Sequence, residues 1–172
     1  YSAKKSVTRK AKDEAYAKAM RQVAREAPDD ADAATIAAEA MMVLRPWDYW
    51  RADGRPQPGM EEILAILEAA LRQHPDHPGA CHYYIHAVEA SPDPQRALDC
   101  AKRLPSLMPG AGHLVHMPAH IYMRLGRYRE ASERNATAAM VDHEYLSRHP
   151  LEGNYASGYY AHNLHFLNAS LM

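Results

Sequence analysis

The sequence has little of what several common protein classes require. Among its 172 residues phenylalanine occurs once and cysteine twice, so no disulfide framework can form and the fold must rest on its core. No apolar run approaches the roughly 18 residues of a membrane-spanning helix. The 20 lysines and arginines are offset by 21 aspartates and glutamates, and this balance leaves no basic stripe for a nucleic acid.

Alanine and histidine are plentiful instead. Alanine occurs 31 times, β-branched residues are scarce, and no stretch alternates between polar and apolar residues. Because alanine, leucine, methionine, glutamate, arginine and lysine are the strongest helix formers, the composition predicts an all-α protein. Histidine occurs 11 times against 8 glycines, which is the unusual number in the composition.

Apolar spacing and the breaks at proline and glycine predict about eight antiparallel helices in a single domain spanning 1–172. In the first of them Tyr16, Met20 and Val23 recur on one helical face. The segment 45–58 is rich in glycine and proline and is predicted to be an inserted loop. The predicted helices span about 3–27, 32–44, 60–73, 79–90, 95–104, 113–125, 127–146 and 155–172.

The helices recur with a fixed period. An offset of 34 residues relates His82 to His116 and His86 to His120. A helix–turn–helix unit of this length is the period of the tetratricopeptide repeat (TPR) family. The segment LGRYREA at 125–131 resembles that family's order of glycine, aromatic residue and alanine.

The segments 82–89 and 109–122 also resemble those of bacterial TPR-type proteins. The resemblance implies a right-handed α-α superhelix, a TPR-like solenoid whose first helices line a concave groove. It further implies a fragment of a longer array, with end helices available for self-association. Two positions depart from the family pattern, because Asn135 stands where the second helix has an aromatic residue and Pro92 replaces a turn glycine.

Most histidines fall on the predicted first helices. Two of these helices each carry three metal-ligating side chains on one face. The two sets are His82, His86 and Glu89, and His113, His116 and His120. The resemblance places both sets on the concave wall, and His162 and His165, one turn apart on the next first helix, extend the row.

This arrangement suits a transition metal. Imidazole is a good ligand for zinc, copper and iron, and a carboxylate completes mixed sites. Neighbouring helices about 8–10 Å apart can share one ion. The eight residues therefore predict a metal site, with Glu89 as a base if the centre is catalytic. The sequence leaves open the metal, the reaction and the substrate.

An alternative interpretation requires no metal. TPR grooves bind peptide or protein segments, and the same face together with Tyr84, Tyr122, Trp47 and Trp50 would form such a surface. A third interpretation is a purely structural module of a larger protein. We expect a cytoplasmic protein that binds no nucleic acid and has no membrane span, with any N-terminal signal outside this chain.

Pro118 interrupts the predicted helix 113–125. Proline removes one backbone hydrogen bond, and we favour a kink that aims His116 and His120 over an irregular lead-in to a helix that starts near Pro118. Cys81 and Cys100 lie in partner helices of one predicted hairpin and are expected to be small core residues.

Overall fold

The computed structural model describes residues 7–149 and 154–172. Within these ranges the regular structure is helical, apart from one isolated bridge between Trp50 and Pro56. The all-α prediction is therefore confirmed for these residues, and none of their helices is long and apolar enough to cross a membrane. The helices are α1 (Arg9–Glu26), α2 (Ala31–Met42), α3 (Met60–Gln73), α4 (Pro78–Val88), α5 (Leu98–Leu107), α6 (Gly112–His116), α7 (Pro118–Arg124), α8 (Tyr128–Arg148) and α9 (Ala161–Ser170).

The chain forms two compact units, unit 1 (Tyr1–Pro92) and unit 2 (Asp93–Met172). In unit 1, α2 packs against α1, α3 and α4. Its alanines allow close approach of the neighbouring helices, while Leu67 and Ile85 are fully buried between them. The loop predicted at 45–58 follows α2.

Helix α4 of unit 1 begins at Pro78, whose missing N–H costs nothing at the first helical position. His77 caps this helix, since its Nδ1 accepts a hydrogen bond from the Ala80 N–H at 3.0 Å. The other ring nitrogen of His77, Nε2, therefore carries the proton and donates to Asp32 Oδ1 at 3.0 Å. The cap and the proline fix where the helix that carries His82 and His86 begins.

In unit 2, α8 packs against α6, α7 and α9, and α5 packs against α6 and α7. Ala119, Tyr122 and Ala131 form a buried apolar cluster, against which Leu98 and Phe166 pack. The long helix α8 is consequently the element that the histidine-bearing helices of this unit share.

Pro118 divides the predicted helix 113–125 into α6 and α7. Met117, between them, keeps a right-handed helical conformation with φ −49° and ψ −36°. Its N–H bonds to the His113 carbonyl at 3.2 Å, and its own carbonyl accepts from the His120 N–H at 3.2 Å. The residues before Pro118 are thus helical and do not form an irregular lead-in, whereas a kink that aims His116 and His120 stays a prediction.

The helix predicted at 95–104 starts as a 3₁₀ turn, Pro94–Ala97, and continues as α5 to Leu107. The predicted helix ends at 104, but the observed helix continues and Pro105 lies inside its last turn. The Met108 N–H still bonds to the Leu104 carbonyl at 3.2 Å, so the proline removes only its own backbone hydrogen bond.

The last two helices also differ from their predicted bounds. Helix α8 continues past 146 to Arg148, because the side chains of Ser147 and Arg148 bond to Glu144 one turn earlier. The final segment begins with a π-helical turn, Ala156–Tyr160, before α9. Parts of two other predicted segments, 3–6 of the first helix and 150–153 of the loop after α8, lie outside the described residues.

Candidate metal centre

Three histidines of unit 2 converge through their Nε2 atoms. His116 Nε2 lies 2.9 Å from His120 Nε2 and 3.0 Å from His162 Nε2. His116 ends α6, His120 lies on α7 and His162 lies on α9. The His116 and His120 side chains are buried, and His162 is partly buried. The convergence is produced by packing three helical segments, not by one helix face.

An amide fixes which nitrogen of His116 carries the proton. His116 Nδ1 lies 2.6 Å from Asn135 Oδ1, and an amide oxygen can only accept, so Nδ1–H is the donor. The orientation of the amide is set from its other end, where Asn135 Nδ2 donates to Ser170 Oγ at 3.3 Å. His116 Nε2 therefore presents its lone pair to His120 and His162. Metal-ligating histidines are typically held by such a second hydrogen bond.

The surroundings of His116 keep its ring neutral. Burial is the largest cause and the neighbouring His120 the next, and together they lower the pKa of His116 from 6.5 to about 2. The hydrogen bond to Asn135 acts in the opposite direction, whereas His162 and His113 lower the pKa further. A ring that is neutral at pH 7 can donate its lone pair to a metal without losing a proton first.

The two nitrogen separations measured from His116 are close to those of a tetrahedral site. Zinc–nitrogen bonds of about 2.0–2.1 Å place two ligand nitrogens about 3.3 Å apart. The observed separations of 2.9 and 3.0 Å from His116 Nε2 need to open by only a few tenths of an ångström. His113, His116 and His162 also bring ligand atoms within 4.8 Å of one another. His113, His116 and His162 could therefore hold a metal ion, and His120 lies beside His116.

The single phenylalanine of the chain contacts all three converging rings. The Phe166 ring centroid lies 4.8 Å from that of His116, 4.5 Å from that of His120 and 5.0 Å from that of His162. Its apolar ring excludes water from this side of the imidazoles, which strengthens electrostatic interactions there. On another side, the Tyr159 ring lies 4.9 Å from that of His113.

In unit 1, α4 places His82 and His86 with ring centroids 4.9 Å apart. His86 Nδ1 lies 2.9 Å from Glu89 Oε1, three residues along, and both side chains are largely buried. Glu89, expected to be a base, thus holds the His86 ring in place. A carboxylate in this position orients an imidazole and fixes its tautomer.

His165 lies outside the converging set of unit 2. It was expected to extend the row with His162, but its side chain is exposed on α9. A separation of three residues turns a helix by about 300°, which leaves the two side chains some 60° apart around the axis. That rotation takes His165 out to solvent while His162 points inward.

The aromatic residues expected to bind a partner are mostly engaged within the chain. Tyr84 donates its hydroxyl to Glu68 at 2.9 Å, and Trp50 donates its indole N–H to the Ala87 carbonyl at 2.7 Å. Tyr122 is buried. Trp47 is 70% exposed and has a positive φ of 65°, which is strained for a non-glycine residue. The two cysteines are buried, as expected of core residues.

Asn135 and Phe166 are the residues of the centre that sequence reasoning missed. Asn135 had left a signal, because it stands where the family pattern has an aromatic residue and a polar side chain at a buried helix position needs a partner. Phe166 lies one turn after His162, which is also visible in the sequence. Only the fold shows that both reach His116.

No protein-family model matches the chain, and comparisons with curated proteins and with solved structures found no match. The geometry of the histidine cluster is consequently what supports a function.

Proposed function

We propose that the chain binds a divalent transition metal through the Nε2 atoms of His116, His120 and His162. The observation that carries the proposal is the Asn135 hydrogen bond, which directs the lone pair of His116 toward the other two rings. One lone pair accepts only one linear hydrogen bond, but two further Nε2 atoms lie within 3.0 Å of it. A cation would instead accept a lone pair from every ring.

The donor set favours zinc and is also compatible with copper or iron. Three imidazoles without a thiolate are typical of catalytic zinc sites, in which a fourth position is open to water or substrate. His113 lies close enough to His116 and His162 to serve as a further ligand. A metal in an open site acts as a Lewis acid and lowers the pKa of bound water, so metal-dependent hydrolysis is the first activity to assay.

Metal analysis of the untagged chain tests the proposal. We expect one equivalent of metal by mass spectrometry after loading with zinc, and at least a tenfold loss of affinity in His116→Ala, His120→Ala and His162→Ala. His143→Ala and His165→Ala remove exposed histidines of the same unit and should bind as the unchanged chain does. Absence of binding after loading with zinc, copper, iron and nickel would refute the proposal, as would equal losses in the two controls.

We also propose that the helices form the TPR-like superhelix that the 34-residue period implies. Successive helices pack on one another, and first helices pack on the next first helix, as when α2 contacts α4 and α6 contacts α9. An experimental structure in which successive helix pairs do not superpose would contradict this arrangement. A chain that has this fold and binds no metal would favour the peptide-binding alternative, which a pull-down with immobilised peptides would test next.

A further inference from the structure

Asp142 is a fully buried carboxylate outside the proposed ligand set. It lies on α8, and both of its oxygens are used. Oδ1 accepts from the Tyr155 hydroxyl at 2.7 Å, and Oδ2 accepts from Asn163 Nδ2 at 2.5 Å. Burial and the Asp142 carboxylate raise the pKa of Tyr155, which keeps its hydroxyl a donor. A buried carboxylate whose two oxygens both accept hydrogen bonds is costly to disturb, because removing either donor leaves one oxygen without a hydrogen-bond partner.

The same carboxylate lies against the first residue of α6. A Cβ added at Gly112 would fall 1.8 Å from Asp142 Oδ1 and 2.4 Å from its Cγ, far inside van der Waals contact. Only glycine allows this approach, although the position does not require a positive φ. The close contact brings the start of the helix that carries His116 onto the Asp142 side chain.

Asp142 therefore contacts both elements whose histidines must meet. Gly112 lies one helical turn before His116 on α6, and Asn163 directly follows His162 on α9. The distance between these two imidazoles depends on how α6 and α9 lie on α8, and Asp142 touches each of them from α8.

We infer that Asp142 is a positioning residue, which sets the separation of His116 and His162 by holding the start of α6 and the side chain of Asn163 at once. The expected effect on metal affinity rests on the proposed function. The inference also has a consequence without metal, because the two rings should move apart when the carboxylate is lost.

The reciprocal exchange of the two polar side chains is the sharpest test. Asp142→Asn places two amides face to face and should weaken metal binding 10- to 100-fold, the usual effect of losing a group that orients a ligand. The double variant Asp142→Asn with Asn163→Asp restores a carboxylate–amide pair, and the new amide on α8 can still accept from Tyr155. We expect the double variant to recover most of the affinity and the visible spectrum of the cobalt-loaded protein.

A second variant reaches Asp142 by steric means alone. Gly112→Ala adds only a methyl group, favours the helix intrinsically, and must displace the carboxylate. We expect the same weakening and the same spectral change. Gly110→Ala is its matched control, since nothing lies within 4 Å of a Cβ there, and Glu133→Gln removes an exposed acid from α8. Thermal unfolding of each variant shows whether it is folded.

Folded Asp142→Asn and Gly112→Ala variants with unchanged affinity and cobalt spectrum would overturn the inference, and so would losses of equal size in the controls. If the unchanged chain itself bound no metal, the proposed function would fail separately. The inference would then be decided on the metal-free protein, by nuclear Overhauser signals between the ring protons of His116 and His162. Signals that disappear in Asp142→Asn and return in the double variant support it, and signals that persist in Asp142→Asn overturn it.

Discussion

Each unit contains one pair of histidines four residues apart on helical backbone, and the two pairs have nearly the same ring geometry. The rings of His82 and His86 lie 4.9 Å apart with an interplanar angle of 74°, and those of His116 and His120 lie 4.8 Å apart at 76°. The helical period alone sets this geometry, because residues four apart stack on one face. The break at Pro118 in the second pair does not disturb it.

The two pairs differ in what holds the Nδ1 atom. In unit 1 the acceptor is the Glu89 carboxylate, three residues along the same chain segment. In unit 2 the acceptor is the neutral amide of Asn135, which comes from α8. A carboxylate favours the charged imidazolium through its own charge, whereas the neutral amide of Asn135 raises the pKa of His116 by less than burial and the neighbouring histidines lower it. Two local motifs of equal geometry thus acquire different chemistry from the charge of one neighbouring group.

Among the substitutions that test the difference between the two pairs, Asn135→Leu should have the largest effect. The substitution removes the acceptor that fixes the tautomer of His116 and leaves a buried Nδ1–H without a partner. We expect metal affinity to fall 10- to 100-fold, measured by calorimetry or by competition with a chelator. Asn168→Leu alters an exposed amide on α9 and serves as the control. An Asn135→Leu variant with the affinity of the unchanged chain would show that the tautomer of His116 is fixed by something else.

The metal-free protein should lose stability in acid because of His116. Its pKa is 6.5 in the unfolded chain and about 2 in the folded one, so the unfolded chain binds the extra proton between these values. Stability is therefore greatest above pH 6.5 and falls as the pH drops below it. Between pH 6.5 and pH 5, the protonation of this residue in the unfolded chain should lower the free energy of unfolding by about 2 kcal/mol. Urea unfolding in the presence of a chelator measures this loss.

Asn135→Asp is the control variant for this pH dependence of stability. The change makes the second pair resemble the first by placing a carboxylate on Nδ1, which supports a proton on the ring. The acid-dependent loss of stability should become smaller in this variant. An equal or larger loss would mean that His116 is not the group that takes up the proton.

Glu89→Gln replaces the carboxylate of unit 1 with an amide, the reverse of Asn135→Asp in unit 2. Glutamine can still accept from His86 Nδ1, but a hydrogen bond to a charged acceptor is the stronger by about 1 kcal/mol. We expect the free energy of unfolding to fall by about that amount at pH 7, measured by urea titration. Glu68→Gln, on α3, is a matched control in the same unit, since it also removes a charge that accepts a hydrogen bond, from Tyr84. A larger effect at Glu68 would contradict the importance assigned to the His86–Glu89 pair.

The aromatic neighbours of the two pairs should show the smallest effects. Phe166 packs on three imidazoles, and Phe166→Leu should cost about 1 kcal/mol of stability with a modest loss of metal affinity. The ring centroids of Trp47 and His86 lie 5.2 Å apart, but Trp47 is mostly exposed. Trp47→Leu should therefore change the free energy of unfolding by no more than about 0.5 kcal/mol. Thermal unfolding of both variants measures the two losses of stability. A larger loss in Trp47→Leu than in Phe166→Leu would contradict this prediction.

Helix content and most breaks were predictable because both are local. Alanine-rich amphipathic segments and proline or glycine breaks placed α3 at its observed bounds, and α2 and α4 within two residues. The extension of α5 beyond Pro105 was not predictable, since one lost backbone bond is tolerated when the next turn closes. The end of α8 depended in the same way on side chains that bond back to Glu144.

The order of residues along the chain is enough to decide which side chains can pair on one helix. His82 with His86, and His116 with His120, follow from the helical repeat and need no tertiary information. Packing between helices decides that His162 joins the second pair, that His165 does not, and that Asn135 and Asp142 support the cluster. The reason is physical, since these contacts depend on how α6, α7 and α9 pack on α8, and the spacing of residues within one helix carries no information about that packing.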